Sequence, residues 1–402
     1  MKNAPTLYLT RNGLLEPLGQ SQVFSYLRGL SRDYRVTLIT YEKDTDWADK
    51  AFVEKMKREC ESLGIRWLPQ RFRPHPKVIA PALSMIRMAW LTHREVKAQN
   101  VQLIHARSYI PAAVAMLVGR WNGVPFIFDM RALWPEELIT AGRLRRGSLL
   151  HRAIVETERA CLRSAAGVVS LTNAAVEYLQ RIYPVELEGQ RISVIPTCAD
   201  LEKFTLSEGK NEQIEIGCLG TVLSGWFKLD WLVNFLAVVA ERAPEAKMML
   251  TTRDDPEKVR AAFKDEQGII DRLDVASRAS GQVPAVLQHQ TASVMFYAGG
   301  EVSELGRSPT RMAEILGCGI PVVANDGVGD VAGIIRKYRV GVLVEGASKE
   351  QMAAAWDELV ALLAEPGLAD RCRQAAEEVF SLSAGTEAYR ALYSDILDAP
   401  RP

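Results

Sequence analysis

The sequence predicts an α/β chain of two doubly wound domains, and three observations carry that expectation. Short apolar runs recur and are followed by helical stretches, the alternation that parallel βα units produce. The alternation restarts at Glu215-Ile216-Gly217-Cys218-Leu219, after a polar and charged stretch at 202–213. And 402 residues are more than one core organises. With 48% hydrophobic and 24% charged residues the chain has a globular composition. Its formal net charge of zero leaves no basic field to argue for nucleic acid. Cys60, Cys161, Cys198, Cys218, Cys318 and Cys372 lack C-x-x-C spacing and are expected as reduced, mostly buried thiols of a cytoplasmic protein. Met1-Lys2-Asn3-Ala4-Pro5 leads into a strand, not into an apolar signal core. No run reaches about 18 apolar residues, so no transmembrane helix is expected.

Thr6 to Thr10 reads as the first buried strand, followed by a loop and a helix to about Leu30. Gly13 and Gly19 in that loop allow a ligand close to the backbone, at the strand end where doubly wound sheets bind ligands. The spacing is not that of a G-x-G-x-x-G fingerprint. Arg35 to Thr40 is the second strand, and Asp44-Thr45-Asp46 sits in a solvated loop with no metal role expected. From Arg66 to Lys97 the chain is basic and apolar together, with seven Lys/Arg against Glu95 alone. Such a segment suits an anionic membrane interface, or a plain amphipathic helix with a solvated basic face. Arg143, Arg145, Arg146 and Arg152 form a second basic cluster. Leu103 to Arg107 and Pro125 to Arg131 are apolar runs that stop at charged residues. Asp129 and Arg131, at the most polar strand exit of this half, are candidate catalytic residues, with a local ion pair as the alternative. Ala166 to Thr172 is a strand between two helices, and Thr172-Asn173 caps the second. Lys247 to Thr252, His289 to Tyr297 and Gly341 to Val344 supply further strands. Helices are expected over Gln351–Leu363, Leu368–Val379 and Gly385–Leu397.

The organising stretch runs from Ser308 to Asn325: loop, helix, glycine turn and buried strand. Ser308, Pro309 and Thr310 form a helix start, with proline near the first helical position. Free N–H groups and two hydroxyls there suit a phosphate or diphosphate. Arg311 adds positive charge, and Glu314, one turn on, is placed to accept from a hydroxylated group such as a ribose. Gly317 and Gly319 end the helix before the strand Pro321 to Ala324. An ordinary amphipathic helix entering a core strand is the alternative.

The pattern S-P-T-[KR]-x-x-E-x-L-x-x-G-x-P-V-V, carried by Ser308 to Val323, resembles the donor-sugar-nucleotide motif of family 4 retaining GT-B glycosyltransferases. Pro17-Leu18-Gly19-Gln20-Ser21-Gln22 resembles the first loop of family members that build bacterial surface polysaccharides. Phe128 to Trp134 resembles the F-D-x-R-x-x-W segment, and Ile195 to Asp200 resembles the I-P-N-x-x-D segment at the interdomain junction. The resemblance implies a GT-B fold of two Rossmann-like domains facing across a cleft. The domains it implies are 1–195, a linker at 196–213, 214–380, and a helix at 381–402 packing back on the first. It further implies a retaining, metal-independent hexosyltransferase-like enzyme without a cofactor, its co-substrate a nucleotide-diphosphate sugar. The implied acceptor is a lipid-linked glycan of exopolysaccharide or O-antigen synthesis, used at the cytosolic face of the inner membrane with 66–97 touching the lipid. Gly19, Gly220, Thr221, Arg253, Ser308, Pro309, Thr310, Arg311 and Glu314 become candidate donor-binding residues. Lys228 becomes the candidate catalytic lysine facing the leaving diphosphate. Three departures stand out. Arg131 falls where many relatives have a histidine, no arginine matches in the Gly220 loop, and Gly306 holds the place of the first E-x7-E glutamate. A sugar-nucleotide epimerase or hydrolase, and a non-catalytic scaffold, are the alternative classes.

Overall fold

The computed structural model describes residues 3–72, 79–207, 209 and 213–399, and of 79–82 and 267 the backbone alone. It divides into two compact units, residues 1–196 with 382–402, and residues 197–381.

The first unit is built on a seven-stranded parallel sheet. Its strands are β1 (Ala4–Thr10), β2 (Tyr34–Glu42), β3 (Arg66–Arg71), β4 (Leu103–Arg107), β5 (Phe126–Asp129), β6 (Gly167–Ser170) and β7 (Ile192–Val194). Their order is β3-β2-β1-β4-β5-β6-β7. Every residue of β1, β4, β5 and β6 is buried, because helices cover both faces of a parallel sheet. The chain reverses its direction of travel across the sheet between β1 and β4. Thr10, Arg107 and Asp129 stand side by side there in register at the carboxyl ends. The last helix, Leu382–Leu397, belongs to this unit. A Cβ at Gly167 would stand 2.8 Å from Leu392 Cδ1, and Arg390 pairs with Asp33 at 2.7 Å.

The second unit repeats the design with β8 (Glu215–Leu219), β9 (Lys247–Thr251), β10 (Leu273–Ala276), β11 (Ala292–Met295), β12 (Val322–Asn325) and β13 (Gly341–Val344). The parallel order is β10-β9-β8-β11-β12-β13, with the reversal between β8 and β11. Asn325 ties the ends of β11 and β12 together: its Oδ1 accepts from Tyr297 N at 2.8 Å and its Nδ2 donates to Tyr297 O at 2.9 Å. All six cysteines are buried free thiols.

Four sequence expectations change. Asp44-Thr45-Asp46 is a single helical turn, Asp44–Trp47, not a loop. The basic stretch opens with the edge strand β3 before its helix Ile79–Ala98, and residues 73–78 lie outside the described residues. Of the stretch expected as a linker, the part from Thr197 to Phe204 is packed: Leu201 and Phe204 join the second unit's core. Arg373 Nη1 holds their carbonyls at 3.1 and 2.5 Å, which ties this part of the polar-looking stretch to the second unit. Finally, the space that Gly19 leaves is filled by the Gly13 carbonyl, not left for a ligand. Gly13 in turn lies against the buried Glu42, whose carboxylate accepts from Leu14 N and Leu15 N at 2.7 and 3.0 Å. A Gly19→Ala substitution therefore meets backbone that cannot turn aside. It is expected to destabilise the chain by about 1–3 kcal/mol, read as a lower urea midpoint at unchanged slope.

Candidate functional site

In the second unit the switch between β8 and β11 puts Gly220 and Thr221 directly after a strand end. Gly220 has φ +115°, which only glycine adopts without strain. The loop is held by Asp254, whose Oδ2 accepts from Val222 N (2.6 Å), Leu223 N (3.0 Å) and Thr252 Oγ1 (3.0 Å). Arg311 lies against Gly220: its Nε would stand 3.5 Å from a Cβ at that position. The helix Thr310–Gly317 buries Met312, Ala313, Ile315 and Leu316 on one face and turns Thr310, Arg311 and Glu314 outward. Pro309 is its N-cap and brings no side-chain cap, so the first N–H groups have no side-chain acceptor from that position. Gly319, at φ +78°, ends the turn.

Three details differ from the simple reading of this stretch. The Ser308 hydroxyl already accepts from Thr197 N at 3.1 Å, so it anchors the unit's own entry segment. Arg311 and Glu314 are not independent: Nη1 donates to Oε2 at 2.7 Å, with side chains 39% and 13% exposed. Position 306 is a buried glycine, and the buried acid of this turn is Glu304, paired with Arg307 at 3.0 Å. Arg307 also covers Trp226, 4.6 Å from the ring centre. Lys228 begins the helix Leu229–Arg242 with its ammonium 3.9 Å from the Trp231 ring centre, and Arg253 is exposed after β9. The structure thus joins Gly220, Arg311 and Glu314. Among the described contacts none ties Lys228 or Arg253 to them.

In the first unit Asp129 and Arg131 meet at the carboxyl end of β5, 3.7 Å apart, with side chains 1% and 8% exposed. The local ion pair is therefore real, but it is part of a larger group. His105 of β4 sits between Asp129 Oδ2 (3.2 Å) and the Tyr393 hydroxyl (2.8 Å), and Tyr389 donates to the same Oδ2 at 3.1 Å. Burial pushes the His105 pKa down despite its carboxylate neighbour. The imidazole is then neutral, donating to Asp129 and accepting from Tyr393. Burial works against the Asp129 carboxylate too, yet Arg131, His105 and Arg107 together hold it below the usual range. Burial raises the Tyr8, Tyr389 and Tyr393 hydroxyls, which stay protonated. Arg131 reaches Gln22 Oε1 at 3.3 Å and the Tyr389 oxygen at 3.5 Å, and Arg107 Nη1 donates to Asn12 Oδ1 at 3.0 Å. Sequence reasoning marked the polar end of Leu103–Arg107 but gave no role to His105, Arg107, Tyr389 or Tyr393. The polar end of Leu103–Arg107 and the i, i+4 tyrosines were the available signals.

Residues 20–203 match the family model Glycosyltransferase Family 4, and residues 213–361 match Glycosyl transferases group 1. Among curated proteins no sequence matches significantly. Solved structures share the fold at low identity. Sucrose-phosphate synthase from Thermosynechococcus elongatus superimposes with a TM-score of 0.71 at 15% identity, over 99% of this chain and 100% of that one. HepE of Anabaena in complex with UDP gives 0.69 at 15%, over 98% and 100%. WaaG, a glycosyltransferase involved in lipopolysaccharide biosynthesis, gives 0.64 at 15%, over 98% and 100%. Two domain models in series and two parallel sheets of this topology make the chain a glycosyltransferase of family 4 type with the GT-B fold.

Proposed function

We propose that this glycosyltransferase moves a sugar, with retention and without a metal, from a nucleotide-diphosphate donor to a hydroxyl of a lipid-linked glycan in surface polysaccharide synthesis. The observation that carries the donor half is the meeting of Gly220, Arg311 and Glu314 at the second unit's switch point. In the transfer the bond from C1 to the diphosphate oxygen breaks and its electron pair leaves with the diphosphate. The acceptor's hydroxyl oxygen bonds to C1 from the same face, and its proton passes to the departing diphosphate. Charge develops on that oxygen, so fixed donors aimed at it lower the barrier. Arg311 and the N–H groups that open its helix are those donors, with Thr221, Thr310, Lys228 and Arg253 as further groups of the same unit. Glu314 accepts from the donor's hydroxyls. Asp129 and Arg131 act in the first unit, on the acceptor. HepE, whose structure is solved with UDP-glucose, supports a sugar nucleotide as co-substrate.

Work at the cytosolic face of the inner membrane is part of the same proposal. On the helix Ile79–Ala98, Leu83, Ile86 and Trp90 are exposed beside the exposed Arg87 and Arg94. Its acid Glu95 is buried and bound by Arg66 and Arg94, so the outward face is cationic and apolar. Among the described residues no helix is long and apolar enough to cross a membrane.

Thermal unfolding with UDP-, GDP-, ADP- and dTDP-sugars, with EDTA present, tests the reading. One nucleotide is expected to stabilise the fold by about 2.7 kcal/mol at a hundred times its Kd. No stabilisation by any of them removes the donor site. Stabilisation only without EDTA overturns metal independence.

A further inference from the structure

We propose that the carboxyl ends of β4 and β5 form a second anion subsite, in which Arg107 and Arg131 hold an oxyanion group of the acceptor. The inference rests on the transferase reading and names the chemistry its acceptor carries. Among the described residues, two guanidinium groups face a single carboxylate here, Asp129, inside a shell of protonated tyrosines and a neutral His105. A buried charge without a counter-charge is costly. The charges that bear on Arg107 pull in opposite directions, Arg131 against it and Asp129 for it, after desolvation has already weakened it.

The bonds these arginines make within the chain leave capacity over. Arg131 contacts Asp129, Gln22 and Tyr389 at 3.3 to 3.7 Å, long for charged partners, and its Nε has no acceptor. Arg107 Nε likewise has none, while Asn12 fixes the guanidinium from the loop after β1. Arg107 ends β4 at the topological switch point, where doubly wound sheets take ligands, and Arg131 follows the neighbouring strand β5. Arg131 has φ 62° and Ser108, directly after Arg107, has φ 77°. Non-glycine residues in the left-handed region at two adjacent strand exits are backbone strain of the kind functional sites retain. A phosphate or carboxylate bound here would supply the acceptor oxygens that these Nε groups lack and balance the second cation.

The test separates this subsite from the donor site by working in an Arg311→Ala background, where the second unit's anion site is disabled. Inorganic phosphate, inorganic pyrophosphate and glucuronate are titrated against chloride at equal ionic strength, and the melting temperature is followed. Stabilisation beyond chloride by at least one of them is expected, with affinity falling tenfold or more when Arg107→Met is added. Without any anion, Arg107→Met itself is expected to melt at or above its parent, because it removes the surplus buried cation. Should it not fold, Arg107→Lys keeps the charge without the planar fork and is expected to bind less tightly than arginine. A response to phosphates alone points to a phosphorylated acceptor, and one to glucuronate alone points to an acidic sugar. No stabilisation beyond chloride, or an equal response with and without Arg107, overturns the subsite. The nucleotide-sugar panel on the unaltered protein reads the donor site separately, so either proposal can fail alone.

Discussion

Glu314→Ala is expected to move two affinities in opposite directions. Binding of the nucleotide sugar weakens by about 1.5–3 kcal/mol, ten- to a hundredfold, because a carboxylate accepting from the donor's hydroxyls is lost. Binding of inorganic pyrophosphate, which has no hydroxyls to offer, holds or tightens. The reason lies in the pair seen at 2.7 Å: in the free protein Glu314 occupies one edge of the Arg311 guanidinium and opposes an incoming anion. Removing it frees the arginine. Arg311→Ala is expected to weaken both ligands together. The pair is partly exposed, so its loss costs the fold no more than about 1 kcal/mol. Calorimetric titration in the Arg107→Met background, where only the second unit's site reports, checks the two signs. Parallel weakening of both ligands by Glu314→Ala would show that Glu314 acts only by placing Arg311.

What the sequence made legible is what short-range physics decides. The helix Thr310–Gly317 and strand Val322–Asn325 could be read because capping residues, apolar period and glycine stops lie within a dozen positions. Gly220 and Arg311 were each marked as candidates, although their contact spans the unit and shows only in the fold. What escaped was assembled from distant places. His105 meets Tyr393 across 288 residues, and Tyr389 meets Asp129 across 260. No local pattern announces such a contact. For Ser308, read as a phosphate ligand, nothing nearby in sequence reveals that Thr197 N donates to its hydroxyl. Gly19 misled for a related reason: a glycine signals close approach, but not of what. The strand β3 was unread because an edge strand with Arg66, Gln70 and Arg71 lacks the apolar run that marks its neighbours.

The largest loss of stability is expected from Asp129→Ala, about 3–5 kcal/mol, because it leaves Arg131 and Arg107 buried without a carboxylate. It also strips His105 Nε2 and the Tyr389 hydroxyl of their acceptor. Asp129→Asn keeps an oxygen for those two bonds and loses only the charge, so it is expected to cost less. The pH dependence separates the two contributions. Asp129 titrates lower in the folded chain than its ordinary 3.8, so its charge stabilises the fold above about pH 4. That stabilisation is lost as the pH falls through the lowered value, and in Asp129→Asn this part of the acid profile is flat. Combination with Arg107→Met sharpens the test. If the cost of Asp129→Asn is surplus buried charge, removing one of the two cations returns part of it, and the double variant is more stable than the sum of the singles. If the cost were lost hydrogen bonding alone, the two changes would add. Denaturant midpoints of the four proteins at pH 7 distinguish these outcomes, and the first is expected because Asp129 is the carboxylate that both arginines answer to.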